Sequence, residues 1–141
     1  MGLEVHFASA KTEWETPPVF FAELDKEFNF TLDVCASDEN TKVPQHYFTV
    51  KEDGLTQDWS KDVCWMNPPY GREIIKWVEK AYQESLKGAT VVCLLPSRTD
   101  TKWYHEYVTK AKEVRFLRGR IKFVGAANSA PFPSCIVVFS V

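Results

Sequence analysis

The stretch Trp65-Met66-Asn67-Pro68-Pro69-Tyr70-Gly71 decides how this chain of 141 residues is interpreted. An apolar run leads into it and a helical pattern follows it, which predicts a loop at the end of a buried strand. Its two prolines fix φ near about −65° and have no N–H to donate. The carbonyls of Asn67 and Pro68 and the amide oxygen of Asn67 therefore remain as acceptors for an amino group. Tyr70 adds a flat ring on which a planar base would stack.

Length and composition predict a single domain over residues 1–141, with residues 1–12 as a mobile arm and no separate target-recognition domain. The net charge of −2 argues against a strongly basic nucleic-acid-binding protein and is compatible with a local basic patch. The four cysteines show no CxxC spacing and lie in or beside apolar runs, which predicts reduced thiols, a cytoplasmic protein and no metal site. No apolar run approaches the roughly 18 residues of a membrane span, so no membrane partner is expected. The sequence is compatible with a homo-oligomer.

Strand and helix patterns alternate through the middle of the chain, and two strand patterns without a helix between them close it. This order predicts a compact α/β fold with a mostly parallel sheet and a C-terminal antiparallel hairpin. The predicted strands are 30–35, 47–50, 63–66, 89–95, 113–117 and 135–141, and the predicted helices are 17–28, 72–87 and 101–112. Ligands of open α/β sheets bind at the carboxyl ends of strands. Polar loops at 33–37, 67–70 and 96–99 are therefore expected to meet at one edge of the sheet.

The Asn-Pro-Pro-Tyr loop is similar to the signature loop of S-adenosylmethionine-dependent amino methyltransferases. From about residue 13 onward, the chain resembles the phage-type (Dam-like) N-6-adenine DNA methyltransferases. The matching stretches are Glu13-Trp14-Glu15-Thr16-Pro17, Leu32-Asp33-Val34-Cys35-Ala36-Ser37, Asp53-Gly54-Leu55 with Trp59, Trp65 to Gly71, Leu95-Pro96-Ser97-Arg98-Thr99-Asp100-Thr101 with Trp103 and His105, Gly119-Arg120-Ile121-Lys122-Phe123, and Ala130-Pro131-Phe132-Pro133-Ser134. The resemblance implies the methyltransferase (Rossmann-like) fold, S-adenosylmethionine as cofactor, and methyl transfer to N-6 of an adenine flipped out of DNA. It also implies the cytoplasm of a bacterial host.

The resemblance also implies roles for particular residues. The catalytic set is Asn67, Pro68, Pro69 and Tyr70. The cofactor set is Thr16, Pro17, Asp33, Cys35, Ala36, Ser37, Asp53 and Leu55. A Gly-rich loop usually follows the first strand of such enzymes, and Ala36-Ser37 stands in its place here. The candidates for contact with DNA are Arg98, Thr99, Lys102, Arg118, Arg120 and Lys122, for which surface solubility is the alternative interpretation.

Other interpretations remain open from the sequence. The same loop would serve methyl transfer to an RNA base or to a glutamine side chain of a protein. A catalytically weak domain that only binds nucleic acid or a partner is the other alternative. Asp33 also fits a simple turn cap. Little of the chain is left for a target-recognition region, so we expect weak or short sequence specificity.

Overall fold

The computed structural model describes residues 14–141, and the arm predicted at residues 1–12 lies outside the described part. This part of the chain contains three α-helices and five strands. The helices are α1 (Pro18–Phe28), α2 (Ile74–Leu86) and α3 (Lys102–Glu106). The strands are β1 (Leu32–Asp33), β2 (Val63–Met66), β3 (Thr90–Pro96), β4 (Glu113–Phe116) and β5 (Ser134–Phe139). Two short 3₁₀ helices span Gly54–Thr56 and Val108–Lys110.

The five strands form one mixed sheet in the order β1-β2-β3-β5-β4. β1, β2 and β3 pair in parallel, whereas β5 pairs antiparallel with both β3 and β4. The α/β class is confirmed, but the prediction of a mostly parallel sheet is not fully supported, since half of the pairings are antiparallel. The hairpin strand β5 inserts beside β3 because it is buried along its whole length. β4 carries Glu113 and Arg115 and takes the edge, where charged side chains reach solvent.

The sheet buries a cluster of apolar side chains on each face. On one face, α2 and α3 pack through Trp77, Val78 and Trp103 against β3 and β5. On the other face, α1 and the segment 121–132 pack through Phe21 and Phe123. Successive residues of β3 alternate between the two clusters, as the two-residue period of a strand requires. Both faces are covered, and the carboxyl ends of β1, β2 and β3 emerge between the two layers.

The strand predicted at 47–50 is wrong, because Tyr47 makes only an isolated bridge to Asp33. Glu52 accepts hydrogen bonds from the N–H and the hydroxyl of Thr49, at 2.7 and 2.8 Å, and these bonds turn the chain. The helix predicted at 101–112 ends at Glu106 and gives way to a 3₁₀ turn. There the Thr109 hydroxyl donates to the carbonyl of His105 at 2.5 Å, a side-chain bond that competes with the helical pattern.

Candidate active site

A cavity of about 630 Å³ opens at the carboxyl ends of β1 and β2. Most of its walls come from three stretches that are far apart in the sequence: residues 14–16, the segment that follows β1, and the end of β2 with its loop. Trp77 of α2 and Val124 complete them. The lining residues are Trp14, Glu15, Thr16, Asp33, Cys35, Ala36, Ser37, Asp38, Glu39, Asn40, Lys42, Thr49, Val50, Trp65, Asn67, Pro68, Pro69, Trp77 and Val124. The cavity thus contains five residues of the predicted cofactor set and three of the predicted catalytic set.

Asp33 stands at the end of β1 and is almost fully buried, with 3% of its surface exposed. Its carboxylate accepts hydrogen bonds from the backbone N–H of Lys42 at 2.9 Å and of Cys35 at 3.4 Å. Burial raises the pKa of Asp33 from 3.8 to about 6, against these hydrogen bonds and the charge of Lys42. Asp33 therefore caps the loop 35–42, as one interpretation of the sequence expected, and it also lines the cavity.

Asn67 stands at the end of β2, and its amide group is fixed by residues 14–16. Its Nδ2 donates to the backbone carbonyl of Trp14 at 2.5 Å and to the hydroxyl of Thr16 at 3.1 Å. Both hydrogens of the Asn67 amide are therefore bonded, one to Trp14 and one to Thr16. The amide oxygen is the atom left to accept from a ligand, and the Tyr70 hydroxyl approaches it at 3.5 Å.

Tyr70 is deeply buried behind this loop and is not among the residues that line the cavity. Its hydroxyl donates to the carbonyl of Leu94 at 3.3 Å. Its ring lies nearly parallel to that of Trp14, with centroids 6.5 Å apart, and meets Phe132 edge-on at 5.6 Å. Burial raises the pKa of Tyr70 well above its ordinary value, so the phenol stays protonated at any physiological pH. The surroundings of its ring in this structure are aromatic side chains.

Three residues of the predicted cofactor set do not line the large cavity: Asp53, Leu55 and Pro17. Asp53 lines a smaller cavity of about 130 Å³, which shares Cys35, Ala36 and Trp77 with the large one. Leu55 lines neither cavity, and its N–H donates to the carboxylate of Asp53 at 3.2 Å. Pro17 likewise lines neither cavity and caps the start of α1.

Sequence reasoning missed several residues that line the cavity, among them Trp77 and Lys42. Trp77 in α2 lines both cavities and lies nearly parallel to the buried Trp59, with ring centroids 6.3 Å apart. Lys42 lines the large cavity, and its ammonium group lies 3.4 Å from the carboxylate of Glu15. Trp77 reads as an ordinary core residue of an amphipathic helix, and Lys42 sits in a polar loop without a motif. Neither position gives a local signal of its role.

The candidates for contact with DNA lie outside both cavities and are exposed. Lys102 forms an ion pair with Glu106 at 3.6 Å. Within residues 14–141, no ion pair involves Arg98, Arg118, Arg120 or Lys122. Arg98 is close enough to Tyr70 for its charge to act on that hydroxyl. It therefore lies near the catalytic loop, as predicted for a residue at the end of β3.

Two further findings concern metals and membranes. The described residues contain no group of three or more His, Cys, Asp or Glu side chains arranged to hold a metal ion. Among the same residues, every helix is too short or too polar to cross a membrane. All four cysteines are free thiols: Cys64, Cys93 and Cys135 are buried, and Cys35 is half-buried at the cavity.

A mixed α/β sheet with an Asn-Pro-Pro-Tyr loop beside a cavity of cofactor size is the arrangement expected of an amino methyltransferase. A sequence model of the family "DNA N-6-adenine-methyltransferase (Dam)" matches residues 6–136. The chain therefore belongs to the DNA N-6-adenine-methyltransferase (Dam) family, which confirms the resemblance seen in the sequence.

Two curated relatives agree with this placement. The DNA N-6-adenine-methyltransferase of Haemophilus phage HP1 (strain HP1c1) is 39% identical over 119 residues, which cover 82% of this chain and 68% of the phage protein. The DNA N-6-adenine-methyltransferase of Escherichia phage T1 is 33% identical over 103 residues, which cover 72% of this chain and 42% of that protein. Both relatives are named for the same reaction on DNA.

Proposed function

We propose that this chain transfers a methyl group from S-adenosylmethionine to N-6 of an adenine in DNA, with the cofactor in the large cavity and the amine at Asn67 and Pro68. One observation supports this most strongly: the loop after β1 and the Asn-Pro-Pro loop after β2 line the same cavity. A cofactor and a substrate amine held by these two loops would be neighbours. The relatives named for this reaction on DNA favour adenine in DNA over an RNA base or a protein glutamine.

The cavity suits S-adenosylmethionine in size and in chemistry. Its volume of about 630 Å³ lies within the roughly 300–1,000 Å³ of small-molecule and cofactor sites. The carboxylates of Asp33, Asp38 and Glu39 match a ligand with an ammonium group, a sulfonium and ribose hydroxyls. Lys42, which pairs with Glu15 at 3.4 Å, is the lysine of the lining that would also hold the ligand's own carboxylate. The indole of Trp77 provides a flat apolar wall for an adenine ring. With this cofactor set we further propose that the five-stranded sheet is a form of the S-adenosylmethionine-dependent methyltransferase (Rossmann-like) fold.

The catalytic loop orients the amine by accepting its hydrogens. The amide oxygen of Asn67 and the carbonyl of Pro68 accept one N–H each, and this turns the nitrogen lone pair toward the cavity. The bound cofactor supplies an electrophilic methyl group on sulfur. Burial raises the pKa of Tyr70, so its phenol stays protonated and cannot take up the surplus proton, which leaves to solvent after transfer. The rate enhancement from this loop is then a matter of positioning and of fixed dipoles.

A base inside a duplex cannot reach this cavity, so the target adenine must leave the stack. Arg98, Arg118, Arg120 and Lys122 are exposed, and within the described residues no carboxylate pairs with them. We assign them to the phosphates that flank the target nucleotide, with Thr99 and Lys102 beside Arg98. For proteins related to phage enzymes, the bacterial cytoplasm is the compartment where DNA and cofactor meet.

Incubation with methyl-labelled cofactor and unmethylated DNA, RNA or total protein tests the proposal, with the labelled nucleoside identified after digestion. We expect label in N-6-methyladenine from DNA alone. Asn67→Ala should lower the rate by about 100-fold or more, as loss of a preorganised transition-state contact does, while cofactor binding by calorimetry stays within about twofold. Label found only in RNA or protein, or full activity of Asn67→Ala, would overturn the proposal. A protein that binds DNA without binding cofactor would instead support the binding-domain alternative.

A further inference from the structure

Residues 14–16 form a short segment that contacts the loop after β1, the loop after β2 and the stretch between β4 and β5. The ring of Trp14 meets Phe123 at 5.4 Å and Phe132 at 5.1 Å, both in the stretch between β4 and β5. The carbonyl of Glu15 accepts from the N–H of Val124 at 3.0 Å. The carboxylate of Glu15 pairs with Lys42 of the loop that follows β1. The 14–16 segment is therefore tied to both sides of the cavity.

The third attachment of the 14–16 segment is to Asn67 itself. Asn67 Nδ2 donates to the carbonyl of Trp14 at 2.5 Å and to Thr16 Oγ1 at 3.1 Å. Thr16 is 1% exposed, so water does not compete for its hydroxyl. An asparagine amide has two chemically different ends, and only the oxygen end accepts hydrogen bonds. The Trp14 carbonyl can only accept, so it holds Nδ2 on its side and turns the amide oxygen to the other side. The Thr16 hydroxyl, which can donate as well as accept, accepts here from the same Nδ2 and adds a second bond to this orientation.

We propose that Thr16, together with the backbone carbonyl of Trp14, is the positioning element that fixes the orientation of the Asn67 amide for catalysis. This inference rests on the proposed function and adds a residue to it. The resemblance to the family implied that Thr16 contacts the cofactor. Thr16 lines the cavity, and its hydroxyl also accepts from the Asn67 amide. Thr16 acts through Asn67, so its removal lowers the rate of the chemical step more than the binding of either substrate.

The same arrangement selects asparagine over aspartate at position 67. Asp would keep one acceptor oxygen for the substrate amine and would be nearly identical in shape. Its second oxygen would replace Nδ2, which lies 2.5 Å from the Trp14 carbonyl. Two acceptors at that distance repel each other, and a carboxylate has no N–H to donate. Asn67→Asp is therefore expected to lose the fixed orientation although it retains an acceptor.

The first test is Thr16→Val, which removes the hydroxyl and keeps the shape of the side chain. We expect kcat to fall about tenfold, the size of effect of one hydrogen bond, with KM for cofactor and for DNA within about twofold of wild type. Thr16→Ser should restore kcat to within about threefold. Thr31→Val is the matched control, because the Thr31 hydroxyl bonds Asp62 and the N–H of Val63 away from the cavity. It should change thermal stability without changing kcat.

A second test does not depend on activity. In protein labelled with ¹⁵N on asparagine, the side-chain NH₂ of Asn67 should exchange slowly with solvent. Thr16→Val should speed this exchange and shift the resonance, while Thr31→Val leaves both unchanged. If the wild-type protein methylates no DNA but its Asn67 amide exchanges slowly, the proposed function is refuted while the contact between Thr16 and Asn67 is supported. Wild-type kcat in Thr16→Val or in Asn67→Asp, or an Asn67 amide unaffected by Thr16→Val, would overturn the inference.

Discussion

The pKa of Asp33 is a property of a single side chain in the cavity that a binding experiment can measure. Burial raises its pKa from 3.8 to about 6, so the carboxylate of the ligand-free protein takes up a proton as the pH falls through about 6. A cationic cofactor needs the ionised form. At pH 5 only about a tenth of the carboxylate is ionised, so the affinity should be about tenfold lower than at pH 7.5.

Calorimetric titration with S-adenosylmethionine between pH 5 and pH 7.5 measures this dependence. Asp33→Asn is the control, since its affinity should be weaker throughout and nearly flat over the same range. The N–H groups of Lys42 and Cys35 bind different oxygens of Asp33, so only one of them keeps its acceptor in this variant, which preserves part of the loop. An unchanged wild-type affinity from pH 7.5 to pH 5 would show that Asp33 does not bind the cationic part of the ligand.

Helix α2 illustrates how an element holds the cavity wall in place. Glu84 near its end is almost fully buried, and its carboxylate accepts from the backbone N–H of Trp59 at 2.7 Å. Lys87 and Lys80 pair with the same carboxylate at 2.9 and 3.3 Å. Trp59 in turn stacks on Trp77, which lines the cavity. A buried charge on α2 thus supports an aromatic wall of the site.

We predict that Glu84→Gln lowers the free energy of unfolding by about 1–3 kcal/mol. The glutamine oxygen still accepts from the backbone N–H of Trp59, but the two lysines lose their ion-pair partner. Hydrogen bonds from Lys87 and from the Trp59 N–H, with the charge of Lys80, lower the pKa of Glu84 despite its burial. The folded-state pKa is below the unfolded value, so the stabilisation is present above about pH 4.5 and is lost as the pH falls. Urea unfolding at pH 7 and pH 4 should show the difference from wild type shrinking in acid.

Glu73→Gln is the matched control on the same helix, because its ion pair with Lys76 is largely exposed. It should change the free energy of unfolding by less than about 0.5 kcal/mol. Equal losses in the two variants would contradict the role assigned to Glu84.

The element from β2 through the catalytic loop into α2 could be read from the sequence, because an apolar run, two prolines and an amphipathic pattern follow one another locally. The prediction that the loop after β1 lies beside the loop after β2 is confirmed, since parallel strands end on the same side of a sheet. Two features of the structure could not be predicted from the sequence. β5 joins β3 rather than the sheet edge, and Asn67 bonds residues 14–16, a separation in sequence of 51 to 53 residues. Both are non-local pairings, which leave no mark on the pattern of a single segment.

In the whole molecule, the position of β5 determines which surface DNA would meet. β5 runs antiparallel to β3 and to β4, so β4 points the same way as β1, β2 and β3. The chain therefore leaves β4 on the side of the sheet where β1, β2 and β3 also end, which is the side of the catalytic loop. The residues that follow β4 there include Arg118, Arg120 and Lys122. Lys61, Lys110 and Lys112 precede β2 or β4 and lie at the opposite edge. A chain with a net charge of −2 thus has basic residues at both edges, and only one edge adjoins the cavity.

We predict that replacing Arg118, Arg120 and Lys122 together by glutamine raises KM for DNA at least tenfold and leaves the affinity for cofactor within about twofold. Replacing Lys61, Lys110 and Lys112 by glutamine changes the net charge equally and should leave KM for DNA nearly unchanged. The slope of log affinity against log salt, measured by fluorescence anisotropy on a DNA duplex, should become shallower by about 0.9 for each phosphate that the variant no longer neutralises. Equal effects of the two triple variants would mean that overall charge governs association, and the residues after β4 would then have no special part in holding DNA at the cavity.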